Sequence, residues 1–195
     1  SSSRERYNYN DFNYNLDAYD EVYWLPTYGG YISAISIPSG YIRSNAVVYG
    51  VSGDQEAGDA ARHALLKMAE WPSYVHPHIL NQGQFTYWPV GQKLTDMAIG
   101  YDMVQDRFTA SERKKSAEAL YSKGVAEVFK EYVRDNRVSS NTSNWIGDVT
   151  GGGMLCALAV MNEYKDTDLE PYLTGMILKM NALVMGCFDI DGGYG

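Results

Sequence analysis

The sequence has few cysteines and no long apolar run, and each shortage excludes a class of protein. Its 195 residues include only two cysteines, Cys156 and Cys187, which are too few for a disulfide framework or a zinc cluster. The longest unbroken apolar run, Met154–Met161, is far shorter than the roughly 20 residues that a membrane-spanning helix needs. We therefore expect no metal site and no membrane segment, and we interpret both cysteines as inert core thiols.

Basic residues are also scarce, and the balance of charge is acidic. The chain has 16 Lys and Arg against 24 Asp and Glu, which gives a net charge of −8. A protein that binds nucleic acid or anionic lipid needs a basic surface, so we expect neither partner. With 45% hydrophobic residues and a mean hydropathy of −0.34, the composition indicates one folded globular domain with a substantial core.

Tyrosine, in contrast, is abundant and unevenly distributed. Seven of the 17 tyrosines lie within residues 1–31, where tyrosine alternates with asparagine. Because this stretch has little aliphatic content, we interpret residues 1–41 as an aromatic-rich N-terminal arm that packs on the body through its rings. A partly disordered terminus is the alternative. We also expect a short strand over Tyr31–Ile37, where the residue pattern alternates for a few positions.

From residue 42 onward, the spacing of apolar residues predicts helices. A short helix is expected over about 43–51, and a second one ends before Pro72, because the residue preceding a proline disfavours helix. Pro89 suits the first turn of a third helix, and Thr109–Glu112 forms a capping-box pattern at the start of a fourth. A fifth helix is expected around 154–161 and a sixth from about Asp168.

These helices fit antiparallel hairpins that begin near residues 43, 89 and 145. Long loops at 72–88 and 134–144 separate them, and loops of that length usually carry function. We therefore predict an all-α fold in which residues 42–195 form a partial (α/α) toroid of helical hairpins, with the loops of one end forming a cleft. An ordinary helical bundle is the alternative.

Three stretches of the chain resemble heparinase II/III-type polysaccharide lyases. They are VGQKLTDMAIGYDMVQDRFTASER at 90–113, SSNTSNWIGDVTGGGMLCALAV at 139–160 and DIDGGYG at 189–195. In that family an Ala-Tyr-Asp-type helix precedes a capped helix, an Asn-Trp or Asn-His loop leads into a Gly-rich helix, and an Asp-Gly-Gly-Tyr-type turn follows another helix. The same order and approximate spacing extend over roughly residues 43–195. Alginate lyases share the toroid, so the resemblance does not identify one substrate.

The resemblance implies cleavage of a uronic-acid polysaccharide, such as a glycosaminoglycan or alginate, by β-elimination. In this chemistry a donor neutralises the uronate carboxylate, a Tyr or His base removes the C5 proton, and a Tyr or His acid protonates the departing O4. No cofactor is needed. The resemblance also implies a periplasmic or secreted location, although no signal peptide opens this chain, and a further C-terminal β-sandwich domain that completes the active site.

Two residues are candidates for catalysis by resemblance. Asn144 matches the family's carboxylate neutraliser, because an amide donates hydrogen bonds without adding charge. Helix N-capping is the alternative role for Asn144, and Asn141 is the second candidate for the neutraliser. Tyr194, in the Asp-Gly-Gly-Tyr turn, is the candidate base, although a packed turn residue has the same sequence signature.

The substrate-binding candidates are loop residues that could line a sugar cleft. Histidine and amide side chains hydrogen-bond sugar hydroxyl groups, and aromatic rings stack on sugar faces, while packing inside the loops is the alternative role for each. A metal role for the two histidines is disfavoured, because no third ligand is spaced near them. The candidates are His76, His78, Gln84, Tyr87, Trp88, Asn141 and Trp145.

Two other functions are compatible with the same pattern. A toroid glycoside hydrolase would use a pair of carboxylates, but the spacing of the aspartates does not single out two. A non-catalytic carbohydrate-binding module would account for the surplus of aromatic residues. A polyanionic substrate would need a local basic groove, for which the scattered cations are Arg43, Arg62, Lys93, Arg134 and Arg137.

Overall fold

The structure, a computed structural model, describes residues 28–138, 143–164 and 166–187, and every regular element in these ranges is helical. The all-α prediction is therefore confirmed for the part of the chain that is described. After the helix over Ala110–Ala119, the chain continues in π-helical turns over Leu120–Ala126 and Phe129–Arg134. The helices are α1 (Tyr28–Ser52), α2 (Gln55–Glu70), α3 (Pro77–Leu80), α4 (Trp88–Met103), α5 (Ala110–Ala119), α6 (Asn144–Ala159) and α7 (Asp166–Cys187).

The first helix is longer than its sequence pattern indicates. The strand expected over Tyr31–Ile37 is wrong, because these residues lie inside α1. Ile35 and Ser39, four residues apart, are both fully buried, and this is the period of a helix face. Residues 28–41, which we assigned to the N-terminal arm, therefore belong to α1, while residues 1–27 lie outside the described part of the chain.

The predicted ends of three helices are confirmed. The Thr109 hydroxyl accepts a hydrogen bond from the Glu112 backbone N–H at 3.3 Å, and the Glu112 carboxylate accepts one from the Thr109 backbone N–H at 2.9 Å. Pro89 lies in the first turn of α4, where its missing N–H costs no helical hydrogen bond. α2 ends at Glu70, two residues before Pro72.

The long helices pair into three antiparallel hairpins, α1 with α2, α4 with α5 and its π-helical continuation, and α6 with α7. A tight turn joins the first pair, and Gly53 has a φ of 70° in it, a conformation that glycine adopts without strain. In the other two pairs, contacts run in opposite order along the two helices. These contacts are Tyr101–Arg113 and Leu94–Gly124 in the second hairpin, and Gly147–Leu183 and Gly153–Met176 in the third.

The hairpins pack side by side in two layers. α1, α4 and α6 form the first layer, and α2, α5 with its π-helical extension, and α7 form the second. Contacts between neighbours advance together along both helices, so the helices within a layer run parallel. They are Arg43–Asp96, Tyr49–Asp106, Gln92–Asp148 and Gln105–Ala159 in the first layer, and Arg62–Glu112, Lys123–Ala69, Tyr121–Tyr172 and Lys179–Asn136 in the second.

The core lies between the two layers. Both cysteines are buried, and burial raises the pKa of the Cys156 thiol, which suits a packing role. No described helix combines the length and the apolar character needed to cross a lipid bilayer. The largest fully buried side chains are Tyr101, Tyr132, Ile35, Ile42, Met68, Leu94, Met97, Leu120, Ile146 and Leu169.

Helices α4 and α6 touch backbone to backbone where two glycines face each other. A Cβ atom added to Gly91 would lie 2.5 Å from the Val149 Cα, and one added to Gly152 would overlap the carbonyl oxygen of Gly91. Neither position has room for a methyl group. The neighbouring Gly151 differs, because a Cβ added there would meet no atom within 4 Å.

We predict opposite effects for alanine at these two adjacent glycines. Gly152→Ala inserts a methyl group into a filled contact, so the free energy of unfolding should fall by about 1–3 kcal/mol. Gly151→Ala meets open space and improves helix propensity, so it should raise stability by up to about 1 kcal/mol. Chemical denaturation of both variants measures this difference. Equal stabilities would contradict the close approach of α4 and α6.

Candidate functional site

Both long loops arrive at the same end of the first layer. The loop over residues 72–88 leads into α4, and the loop over residues 134–144 leads into α6. Because α4 and α6 run parallel, their N-termini lie side by side. The described parts of the two loops that we singled out by their length therefore meet at one end of the first layer.

A buried carboxylate ties the two loops to each other. Glu131, with 5% of its surface exposed, accepts hydrogen bonds from the backbone N–H of Phe85 and from the guanidinium of Arg137. The same guanidinium donates to the Thr86 carbonyl oxygen at 3.4 Å. Lys130 places its ammonium 4.2 Å from the centre of the Phe85 ring. These contacts hold the end of the first loop against the start of the second.

Three aromatic rings gather where the loops enter their helices, and we call Tyr87, Trp88 and Trp145 the aromatic surface. The centroid of the Tyr87 ring lies 6.3 Å from that of the Trp88 ring and 6.0 Å from that of the Trp145 ring. The two tryptophan centroids are 6.5 Å apart. Trp145 is 38% exposed, which does not fit the core-anchor role that we held open for it. The structure thus brings together three of the predicted substrate-binding residues.

Asn144 stands beside this surface as the first residue of α6, and it is exposed. The N-cap of α6 is Ser143, whose hydroxyl accepts a hydrogen bond from the Trp145 backbone N–H at 3.3 Å. The capping role that was the alternative for Asn144 is therefore wrong. Both serine and asparagine are good caps, so the sequence alone does not separate the two.

The other candidates lie in different surroundings. His76 is buried, with 3% of its surface exposed, and its carbonyl oxygen accepts hydrogen bonds from Ile79 and Leu80 at the start of α3. Gln84 is partly exposed in the same loop. His78 lies within α3, but its side chain is outside the description. Asn141 and Tyr194 both lie outside the described residues.

A groove that the sequence did not indicate runs along α4 and α6, and we call it the polar groove. It has a volume of about 580 Å³, within the range of small-molecule sites. Glycines, leucines and Met154 of α6 form its apolar lining. Its polar lining consists of Arg43, Gln92, Lys93, Thr95, Asp96 and Asp148. The residues come from three helices, so no local sequence pattern marks it.

Asp96 is the buried centre of the polar groove. Its side chain is 6% exposed and lies 2.9 Å from Arg43 Nη1 and 3.9 Å from Lys93 Nζ. Burial raises the pKa of this carboxyl, and the two cations act against that rise. On the opposite wall, Asp148 accepts a hydrogen bond from the Gln92 amide at 3.4 Å.

The remaining scattered cations are paired away from this groove. Arg62 lies 2.6 Å from Glu112, Arg134 lies 2.7 Å from Asp135, and Arg137 pairs with Glu131. Among the described residues, no group of three or more His, Cys, Asp or Glu side chains is arranged to hold a metal ion.

Comparison with known proteins adds no family to these observations. No protein-family model matches the chain, and no curated protein is significantly similar to it. The resemblance to polysaccharide lyases therefore remains a prediction from the quoted motifs, and the arrangement of the site carries the functional argument.

We predict that Glu131 is required for the loops to hold together. Glu131→Gln removes the charge that pairs with Arg137 and weakens two buried hydrogen bonds, so the free energy of unfolding should fall by about 1.5–3 kcal/mol. Glu127→Gln is the control on the same helical stretch, because Glu127 contacts Lys130 at 3.4 Å and both side chains are partly exposed. It should change stability by less than about 0.5 kcal/mol. Chemical denaturation compares the two, and equal effects would contradict the loop-tying role.

Proposed function

We propose that the chain is the helical portion of a polysaccharide lyase that cleaves a uronic-acid polymer by β-elimination. The observation that carries the proposal is the aromatic surface of Tyr87, Trp88 and Trp145 beside the exposed Asn144, at the end where both long loops meet. Trp145 is exposed and Tyr87 and Trp88 are half-buried beside it, so their accessible faces can stack on sugar rings, and an amide next to them can reach the sugar's substituents.

The proposed step begins with the uronate carboxylate. The Asn144 amide donates a hydrogen bond to that carboxylate, and the N-terminus of α6 places the positive end of its dipole at the same point. Neutralisation makes the C5 proton more acidic, and a base removes it. The electron pair forms the C4–C5 double bond as the C4–O4 bond breaks, and an acid protonates O4. We assign the base to Tyr194.

The same proposal extends to the architecture. Three hairpins in two layers of parallel helices form a repeating unit, and an (α/α) toroid is built by continuing such a unit around a ring. We propose that the helices from α1 onward belong to such a toroid, and that the enzyme acts in the periplasm or outside the cell. A C-terminal β-sandwich domain extends the substrate cleft in this proposal, while the assigned neutraliser and base, Asn144 and Tyr194, both belong to this chain.

A second candidate function is a toroid glycoside hydrolase, which one observation favours. Asp96 and Asp148 both line the polar groove, and they differ in environment, as an acid and a base in a hydrolase must. Burial raises the pKa of the Asp96 carboxyl, while Asp148 is bonded to an amide. The pairing of Asp96 with Arg43 favours its ionised form, which suits an acid less well.

We predict that the chain, incubated with a panel of heparan, chondroitin, hyaluronan and alginate polymers, produces the ultraviolet absorbance of a conjugated double bond on at least one. Asn144→Ala should lower that rate by about 100-fold or more, the cost of removing one donor to a developing anion. Asn181→Ala, at an exposed position on α7, is the matched control and should leave the rate unchanged.

Each other outcome has a definite meaning. Full activity in Asn144→Ala with an intact circular dichroism spectrum would show that the neutraliser is a different residue. New reducing ends without absorbance would identify a hydrolase. Polymer binding without any cleavage would indicate a carbohydrate-binding module, and the absence of both binding and cleavage would overturn the proposal.

A further inference from the structure

We infer that the polar groove is a subsite for an acidic sugar, in which Arg43 and Lys93 bind the carboxylate of a second uronate unit of the polymer. This inference rests on the proposed function, because it assigns a neighbouring unit of the same substrate chain. It names the class of substrate by its charge, which the aromatic surface does not do, since aromatic rings stack on neutral and acidic sugars alike.

The position of the groove supports this assignment. Gln92 follows Trp88 by four residues of α4, and Asp148 follows Asn144 by four residues of α6, so the groove opens about 6 Å along the helices from the aromatic surface. Since α4 and α6 run parallel, both walls continue in the same direction. A chain that lies on the aromatic surface therefore reaches the groove without turning.

The exposure of the charged side chains indicates which of them are available to a ligand. The Asp96 side chain is 6% exposed and is enclosed by its two partners, whereas the side chains of Arg43 and Lys93 are 55% and 26% exposed. Arginine carries five N–H donors, and Asp96 engages the Arg43 guanidinium through one nitrogen. Asp96 thus fixes the two cations at the groove wall while both still face solvent.

The second carboxylate in the groove argues for a sugar and against a simple anion. With Asp148, the groove contains two acidic and two basic side chains. Asp148 would repel a small anion such as phosphate. A uronate unit has hydroxyl groups, which can donate hydrogen bonds to Asp148 and accept them from the Gln92 amide. It also has a carboxylate, which the two cations can bind. It is complementary to both signs of charge at once.

The test measures binding of uronate oligosaccharides and of the same oligosaccharides with their carboxyl groups reduced to alcohols, by titration calorimetry. Lys93→Met should weaken binding of the acidic oligomer by about 10-fold, the effect of one hydrogen bond between charged groups, and leave the reduced oligomer unaffected. Lys114→Met, at an exposed lysine outside the groove, is the control for net charge and should change neither affinity.

Arg43 needs a paired substitution, because removing it alone leaves Asp96 buried without that partner. The double variant Arg43→Met with Asp96→Asn removes both charges and keeps the groove neutral overall. It should weaken binding of the acidic oligomer by at least as much as Lys93→Met, again with no effect on the reduced oligomer.

The outcomes separate this inference from the proposed function. If Trp145→Ala weakens binding of the acidic oligomer but the two groove variants do not, the groove is not a subsite and the proposed function stands. If Lys114→Met weakens binding as much as Lys93→Met, the effect is one of net charge and the inference is wrong. If no uronate oligomer binds the unmodified chain, both proposals are overturned.

Discussion

The backbone contact between α4 and α6, at Gly91 and Gly152, is the constraint on which the rest of the site depends. With no side chain between them at this point, the two helices approach more closely than larger residues allow. Their parallel N-termini are therefore neighbours, and the rings of Trp88 and Trp145 lie 6.5 Å apart. The same approach gives the polar groove a floor made partly of glycine backbone, so its volume remains open to a ligand.

The buried carboxylates Glu131 and Asp96 are held by partners in different parts of the molecule. Glu131 is surrounded by donors that belong to the loops, and its partners Phe85 and Arg137 are engaged in holding those loops together. Asp96 is held by Arg43 and Lys93, which lie at the edge of an open groove. A buried charge must be paired in either case. The two cases differ in Arg43, which is 55% exposed, whereas Arg137 is 27% exposed and also donates to the Thr86 carbonyl oxygen.

Sequence patterns predicted the features that depend on neighbouring residues. The capping box at Thr109 and Glu112 and the start of α4 at Pro89 are local interactions, and both are confirmed. The strand predicted over Tyr31–Ile37 is wrong, because these residues belong to the helix α1. A pattern that alternates over only a few positions does not distinguish a strand from a helix. The toroid, the lyase activity and the role of Asn144 stay predictions.

No local sequence pattern could predict the polar groove, because its residues are distant in sequence. Arg43 and Asp96 are separated by 53 positions, and Gln92 and Asp148 by 56, so only the packing of α1, α4 and α6 brings them together. In the sequence, Arg43 and Lys93 are two of five scattered cations, and nothing in their spacing sets them apart from the other three. Long-range pairing of charges is a property of the fold, and no single stretch of sequence carries it.

The overall charge of −8 opposes a polyanionic substrate, but the distance over which charges act limits that opposition. At physiological ionic strength, charges farther apart than about 8 Å are largely screened from one another. Several surface cations are engaged by carboxylates outside the groove, as in the pairs of Arg62 with Glu112 and Arg134 with Asp135. What an acidic polymer meets at the groove is therefore set by the side chains within a few ångströms, where Arg43 and Lys93 share the buried Asp96. An acidic protein can bind an acidic polymer in this way, because Asp96 in the groove is paired with both cations and Asp148 can accept hydrogen bonds from the sugar's hydroxyl groups.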